Sequence, residues 1–223
     1  MCGRFTMFAT AEELMEAFHI TNSFSVEERY NIAPSQEILA IIQDGSERRA
    51  GKLRWGLIPP WAKEASIGNK MINARGETLH EKPSFKKAFQ SKRCIIPCTG
   101  FYEWKKTEDG KIPMLIQVKE EKVFGLAGLW EKWIHPKTNQ PVFSCTVVTT
   151  EPNEIMADIH DRMPVILQKS DETNWLNNEE DIHNVKSLIK AFPAEQMYFS
   201  EVSTAVNSPK TDDHTCIKSI SGS

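Results

Sequence analysis

The sequence has no long apolar run, which argues against a membrane-spanning helix. No stretch of its 223 residues reaches the roughly 18 consecutive apolar residues that such a helix requires. The opening MCGRFTMFAT also lacks the basic region and following apolar stretch that mark a signal peptide. We therefore expect a soluble, cytoplasmic protein that associates with no membrane.

Glycine-rich nucleotide-binding motifs and internal repeats are also missing. The 11 glycines form neither a GxGxxG pattern nor a P-loop. Short strand-like segments separated by Gly, Pro and Asn favour a strand-rich α+β domain over a doubly wound fold. We predict a single domain over residues 1–205, built on a coiled, barrel-like mixed sheet with a few short helices, and no cofactor.

Cysteines are few and odd in number, which argues against a disulfide framework. The five cysteines are scattered along the chain. Cys94 and Cys98 in CIIPC have a spacing seen in metal sites, but no second pair follows and the residues between them resemble a buried strand. We expect reduced thiols and no metal.

Three segments have helical patterns and the C-terminal end has none. Residues 10–19 predict a helix with Thr10 as N-cap and Glu13 completing a capping box. Residues 83–90, with Ser84 as cap, and residues 179–190 predict two more. Residues 206–223 are polar and rich in helix breakers, which predicts a loose tail.

Strands are predicted at 37–42, 52–58, 94–98, 100–105, 114–119, 124–130, 143–150, 163–168 and 197–202.

Charge is distributed unevenly along the chain. From Gly45 to Lys111 there are 15 Lys and Arg against 7 Asp and Glu, a balance of +8, so the net charge of −3 leaves −11 for the remainder. A basic middle in an acidic protein suggests a surface that faces a polyanion, although an ordinary solvated surface would have the same composition.

Cys2 follows the initiator methionine directly. Removal of Met1 would leave an amine and a thiol on adjacent carbons, and both groups titrate near neutral pH. Such a pair condenses with an aldehyde to an imine, and the thiolate then closes a five-membered thiazolidine, a ring closure favoured by proximity. Alternatively, Cys2 is simply tolerated at a variable position.

Six motifs together resemble the SOS-response-associated peptidase family, whose members shield abasic sites. They are MCGRF, YNIAPSQ, RWGLIPPWA, INARGET, RCIIPCTGFYEWK and IHDRMPVIL, and they span residues 2 to 167 in the family's order. The resemblance implies capture of the ring-opened sugar aldehyde of an abasic site in single-stranded DNA, with Cys2 as the double nucleophile. It also implies removal of Met1, by an aminopeptidase or by the chain itself, and permits weak strand cleavage. A monomer is expected.

The resemblance assigns catalytic roles to three further residues. Asn73 would hold the amine and sugar oxygen in line, although an asparagine in such a segment also caps turns. Glu103, among aromatic residues, would shuttle the amine proton, unless it is a surface residue at a strand edge. His160 would exchange a proton with the sugar hydroxyl, whereas a lone histidine is often structural.

DNA-binding roles fall to residues beside these motifs. Gly3 permits close backbone approach, and Arg4, Arg75 and Arg162 are predicted phosphate contacts, Arg162 having a surface salt bridge as its alternative. Pro34 and Trp55 would stack against bases, although core packing is the default for tryptophan. Thr149 would donate a hydroxyl. The full set of DNA-binding candidates is Gly3, Arg4, Pro34, Trp55, Arg75, Thr149 and Arg162.

Two other functions remain open from the sequence. Glutamine-type amidohydrolases also begin with Met-Cys-Gly, and their N-terminal thiolate attacks an amide. A non-catalytic reader of modified bases would bind DNA without needing Cys2. Release of ammonia from glutamine would identify the first, and DNA binding without a covalent adduct would identify the second.

Overall fold

The computed structural model describes residues 2–220, and its architecture is dominated by strands. Within that range there are thirteen strands and five short α-helices. The strands are β1 (Phe5–Met7), β2 (Arg29–Ile32), β3 (Glu37–Asp44), β4 (Glu47–Trp55), β5 (Asn73–Arg75), β6 (Arg93–Cys98), β7 (Gly100–Thr107), β8 (Gly110–Val118), β9 (Phe124–Ile134), β10 (Pro141–Thr150), β11 (Met163–Pro164), β12 (Ile166–Leu167) and β13 (Met197–Glu201). The helices are α1 (Ala11–Phe18), α2 (Lys86–Ser91), α3 (Glu154–Ala157), α4 (Glu172–Leu176) and α5 (Ile182–Ser187).

Five strands close into a barrel. Strand β10 pairs with β4, β4 with β3, β3 with β6, β6 with β9, and β9 returns to β10. The β10 and β4 pairing is parallel and the other four are antiparallel. The prediction of a barrel-like mixed sheet in a single domain is thereby confirmed. Closure leaves no exposed edge on these strands.

A second sheet brings the N-terminal strand into its interior. Its order is β13, β8, β7, β1, β2, and each pairing is antiparallel. Because β1 lies between β7 and β2, the residues that precede it are held against the main body of the domain. Cys2 is one of them, and its side chain is completely buried.

Strand β6 shows why CIIPC is structural. All six of its residues are buried, and it lies between β3 and β9 in the barrel wall. Cys94 and Cys98 are free thiols, as are the other three cysteines. The interpretation of this segment as a buried strand is confirmed.

The three predicted helices are present, but the boundaries and N-caps differ in part from the prediction. Helix α1 has the predicted capping box, with Glu13 N donating to Thr10 Oγ1 at 3.2 Å and Thr10 N donating to Glu13 Oε2 at 2.8 Å. The assignment of Ser84 as a cap is wrong, because α2 begins at Lys86 with Phe85 at its N-cap. Helices α3 and α4 have four and five residues, too few for a helical pattern to be recognised. No helix within residues 2–220 is long and apolar enough to cross a membrane.

The C-terminal segment is not loose over residues 206–220. Asp212 Oδ1 accepts hydrogen bonds from the backbone amides of Tyr30 and Asn31, at 2.6 and 2.7 Å, and Ser219 pairs with Val202. Cys216 is fully buried. The expectation of a loose tail is therefore wrong for these residues, because Asp212 and the carbonyls of Val206, Ser208 and Thr211 form hydrogen bonds with β2. Residues 221–223 lie outside the described range.

Candidate active site

Cys2 lies where the second sheet meets the barrel. It directly precedes the short segment that leads into β1, and the backbone amide of Tyr102 in β7 donates to the Arg4 carbonyl at 2.9 Å. On the barrel side, the Cys2 carbonyl accepts a hydrogen bond of 2.8 Å from Asn73 Nδ2. The residue is thus held from both sides through its neighbouring backbone.

Asn73 reaches Cys2 because a short strand extends the barrel wall. Strand β5 runs parallel to β10, with Asn73 opposite Val147 and Arg75 opposite Thr149. The Oδ1 atom of Asn73 is buried and has no hydrogen-bond partner among the described residues. A buried acceptor without a donor is costly. The amide therefore offers a site for an N–H or O–H group close to Cys2.

Glu103 is a buried carboxyl on the strand beside the N-terminal segment. Phe5 is paired with Phe101 and Arg4 O with Tyr102 N, so the antiparallel register places Gly3 opposite Glu103. The Glu103 side chain is almost completely buried. Burial raises the pKa of its carboxyl, and the nearby His160 opposes part of that rise. A carboxyl with a raised pKa is suited to proton transfer near neutral pH.

His160 adjoins Glu103 from the loop between α3 and β11. Its Nε2 atom lies 4.0 Å from Glu103 Oε2. Its Nδ1 atom lies 3.0 Å from the backbone amide of Arg162 and 2.8 Å from Asp161 Oδ1. Nδ1 accepts from the amide when it is unprotonated and donates to Asp161 when it is protonated. The imidazole thus has partners in both protonation states.

The thiol of Cys2 is protonated in this environment. Burial, followed by the nearby Glu103 carboxylate, raises its pKa to about 12, while an N–H donated by the Arg4 backbone lowers it. Cys98, another buried thiol, also has a raised pKa, mainly from burial, with Cys2 contributing. Chemistry at Cys2 consequently requires a base that removes the thiol proton.

The structure brings the four predicted catalytic residues together. Cys2 contacts Asn73, Glu103 is close enough to shift the pKa of the Cys2 thiol, and His160 pairs with Glu103. The four come from the N-terminal segment, β5, β7 and the loop before β11.

Two of the predicted DNA contacts, Trp55 and Thr149, are buried within the protein. Trp55 is completely buried and donates a hydrogen bond of 2.9 Å from Nε1 to Ile72 O. Its ring packs edge-on against Phe5, with the ring centroids 5.2 Å apart. Thr149 is completely buried, and its hydroxyl faces Ala74 O at 3.5 Å. In this structure Trp55 is a core residue and Thr149 lies inside β10, so neither side chain is exposed to solvent. Their roles as DNA contacts stay predictions.

Two of the predicted phosphate ligands are engaged within the protein. Arg4 donates from one terminal nitrogen to Asn31 Oδ1 at 2.7 Å and to Val206 O at 2.8 Å. Arg162 forms a bidentate pair with Glu77, at 2.8 and 2.9 Å, which is the salt bridge that the sequence left as its alternative. A phosphate would compete with these acceptors for either guanidinium.

The remaining predicted DNA contacts are accessible, and a further aromatic residue joins them. Arg75 is exposed, while Gly3 and Pro34 are half-buried. Trp61 is 58% exposed, in the loop after β4. The sequence places both Trp55 and Trp61 in the motif RWGLIPPWA, and only folding decides which of the two faces solvent.

Comparison with known proteins identifies relatives along nearly the whole chain. The family model described as SOS response associated peptidase (SRAP) matches residues 1–209. Abasic site processing protein YoqW of Bacillus subtilis (strain 168) is 53% identical over 224 residues, covering 98% of this chain and 100% of that protein. Abasic site processing protein HMCES of Gallus gallus is 33% identical over 201 residues, covering 79% of this chain and 59% of that protein.

A solved structure shares the fold. The crystal structure of a protein from Bacteroides thetaiotaomicron aligns with a TM-score of 0.89 at 29% sequence identity. The alignment covers 98% of this chain and 99% of that one. The architecture of the barrel and the second sheet is therefore shared with that protein at 29% sequence identity.

Proposed function

This chain belongs to the SOS response associated peptidase family, and from that membership we propose that it processes abasic sites in single-stranded DNA by capturing them covalently through Cys2. The observation that carries the proposal is that Asn73 and Glu103 lie beside Cys2, with His160 4.0 Å from Glu103. Two relatives of this chain are named abasic site processing proteins.

The proposed reaction joins one aldehyde carbon to both nucleophiles of Cys2. The ring-opened sugar presents its C1 aldehyde, and the Cys2 amine adds to that carbon and expels water to form an imine. The thiol then gives up its proton, its sulfur adds to the same carbon, and the imine nitrogen takes a proton. The product is a thiazolidine, and water is the only other product.

Each neighbouring side chain has a step that suits its position. The buried Oδ1 of Asn73 accepts a hydrogen bond from the Cys2 amine and aligns it with the aldehyde. Glu103 relays protons between the amine, the thiol and the departing hydroxyl. His160 exchanges a proton with the sugar hydroxyl as the ring opens.

The reaction requires a free amine on Cys2. While Met1 is attached, that nitrogen is part of a peptide bond, so removal of Met1 must come first. Met1 lies outside the described residues. A methionine aminopeptidase accepts a small second residue, and removal by the chain itself, with Glu103 assisting, is the alternative route.

Strand cleavage competes with capture. The imine acidifies the neighbouring sugar carbon and permits β-elimination of the phosphate when ring closure is slow. We propose weak lyase activity of this kind. Comparing intact adduct with cleaved DNA over time would measure the partition between the two outcomes.

DNA would be held by exposed groups around the site. Arg75 lies two residues from Asn73 on β5 and is available to a phosphate. Trp61, rather than Trp55, is the aromatic side chain available to a base, and Pro34 offers a second apolar surface. A ligand defined by a missing base needs few contacts to base edges.

The test is adduct formation on a defined oligonucleotide. Processed protein is incubated with a uracil-containing strand, with and without prior removal of the uracil, and run on a denaturing gel. We expect a slow-migrating band in the treated sample alone. Cys2→Ala and Cys2→Ser should abolish the band, because neither retains both nucleophiles, and should keep reversible binding. Cys94→Ala, which alters another buried thiol, should retain the band.

The outcomes also separate the alternatives. A band with Cys2→Ala would refute capture through this residue. Binding by the native protein without any adduct would indicate a reader of modified DNA. Ammonia released from glutamine in a Cys2-dependent manner would indicate an amidohydrolase, and we expect none.

A further inference from the structure

We propose that Asn31 is a positioning residue for Cys2, acting through Arg4. The backbone carbonyls of the C-terminal segment bind the Asn31 side chain and hold it in place. This inference rests on the capture function proposed above. Asn31 lies in the motif YNIAPSQ, and the sequence indicated no chemical role for Asn31 itself.

Asn31 is a buried side chain with many polar partners. It is completely buried at the end of β2. Its Nδ2 atom, which has two hydrogens, lies 3.2, 2.9 and 2.6 Å from the carbonyl oxygens of Val206, Ser208 and Thr211. Its Oδ1 atom accepts from Arg4 at 2.7 Å. Asn31 therefore joins three carbonyls of the C-terminal segment to one N-terminal guanidinium.

Arg4 transmits this link to the N-terminus. The same terminal nitrogen that donates to Asn31 also donates to Val206 O at 2.8 Å, and the guanidinium carbon lies 5.7 Å from the ring centroid of Trp104. Trp104 is itself held by a hydrogen bond of 2.7 Å from its Nε1 to Asn207 Oδ1. Arg4 is two residues from Cys2, and Trp104 directly follows Glu103.

The C-terminal segment is itself anchored to the domain by hydrogen bonds, so it can hold the Asn31 side chain in place. Asp212 accepts from the amides of Tyr30 and Asn31 and pairs with the side chain of Arg29. Tyr102 donates its hydroxyl to Tyr30 O at 2.7 Å. The segment, β2 and β7 are thereby tied into one polar network around Arg4.

Anchoring matters because the nucleophile is terminal. The first residues of a chain fray unless they are tied down. The Cys2 amine and thiol must reach one carbon in succession, and small misplacements lower such rates strongly. The Cys2 carbonyl is held by Asn73, and the network at Arg4 fixes the chain two residues further along.

The first test compares two asparagines that both bind backbone. In Asn31→Ala, the first-order rate constant of adduct formation at saturating abasic DNA should fall roughly 10- to 100-fold, because Cys2 is no longer aligned. The dissociation constant for intact single strands should stay within about a factor of two. The control is Asn22→Ala, whose side chain bonds Ala50 N and O at 2.8 and 3.0 Å, far along the sequence from Cys2. An equal rate for the two variants would overturn the inference.

A second measurement does not depend on abasic chemistry. Alkylation of Cys2 by iodoacetamide, measured by peptide mass spectrometry on the mature protein, should accelerate about tenfold in Asn31→Ala as the terminus is released. Cys94, buried in the barrel wall, reports global unfolding and serves as the reference. An unchanged ratio of Cys2 to Cys94 labelling would contradict the inference. If the native protein forms no adduct, the proposed function fails, and this ratio still decides the role of Asn31.

A substitution of Arg4 tests the same inference without changing Asn31, which matters if Asn31→Ala fails to fold. Arg4→Met keeps the apolar stem and removes the donor to Asn31, so it should slow capture and expose Cys2 in the same way. If Asn31 acts through Arg4, the double variant should be no slower than the slower single variant. Multiplied losses in the double variant would refute action through Arg4.

Discussion

Cys2 and Glu103 illustrate how burial sets proton positions at the scale of single residues. Each has a raised pKa, caused first by desolvation, and the Glu103 carboxylate further disfavours ionisation of the Cys2 thiol. Release of Met1 would transfer the positive α-amine of the chain to Cys2 itself, where it favours the ionised forms of the thiol and of the Glu103 carboxyl. The net charge of the chain is unchanged by this step.

Glu103→Gln separates the structural and the chemical effects of this carboxyl. Because the folded-state pKa of Glu103 is raised, the carboxyl supports stability at low pH, and that support is lost as pH rises through the folded value. The neutral amide has no such loss, so Glu103→Gln should raise the melting temperature at pH 8 and leave it nearly unchanged at pH 4. The rate of adduct formation at pH 7 should fall roughly 10²- to 10⁴-fold.

The control for Glu103→Gln is Glu108→Gln, which removes the same charge from an exposed turn. It should change neither the pH dependence of melting nor the rate of adduct formation. A native-like rate in Glu103→Gln would remove the carboxyl from the reaction. Melting curves from pH 4 to 8 and single-turnover gels measure the two effects.

At the scale of elements, the loop after β4 shows how backbone contact places an exposed aromatic. Gly56 has a φ of +124°, and a Cβ added there would meet Gly68 O at 2.6 Å. The loop between these glycines carries Trp61, while Ala62 and Ile58 pack with Trp133 on the barrel. The two ends of the loop are thus in direct backbone contact, and this close approach, which shapes the segment that carries Trp61, requires glycine at both positions.

Gly56→Ala should disturb this loop. The positive φ and the clash with Gly68 O should cost about 1–3 kcal/mol of stability, and DNA binding should weaken because Trp61 is displaced. Gly51→Ala is the matched control, since no atom lies within 4 Å of its added Cβ. Thermal melting and fluorescence anisotropy with a labelled single strand provide the measurements. Equal affinities for the two variants would argue against a role for this loop in binding.

At the scale of the whole molecule, the uneven charge distribution has a measurable consequence. The +8 balance between Gly45 and Lys111 belongs to a protein of net charge −3. Only part of that charge is free, because residues such as Arg48 and Arg93 bond to protein acceptors. In the proposed function, the exposed remainder, which includes Arg75, would provide the electrostatic attraction to DNA.

Reversible binding should therefore weaken with salt while the completed adduct should not. For single strands the slope of log K against log salt is about −0.7 per phosphate contact, so Arg75→Gln should make the slope less steep by roughly that amount. Lys137→Gln, an exposed change outside the basic stretch, should leave the slope unaltered. Anisotropy titrations at several salt concentrations measure it, and an identical slope for Arg75→Gln would exclude a phosphate contact there.

The sequence by itself determined the α+β class, the helix at α1 with its capping box, most strand positions, the family, and the identity of the four residues that meet at the site. These follow from local patterns and from motifs whose residues are neighbours in the chain. Strand alternation and cap chemistry act over a few residues, so they can be recognised without the fold.

Tertiary structure alone decided which of those residues is exposed and which is engaged. Trp55 and Trp61 share one motif, yet one is buried against Phe5 and the other faces solvent. Asn31 and Val206 of the C-terminal segment are 175 residues apart in the sequence, and the fold brings them into hydrogen-bond contact. Burial and long-range hydrogen bonds depend on what the rest of the chain brings close, and no local pattern encodes that.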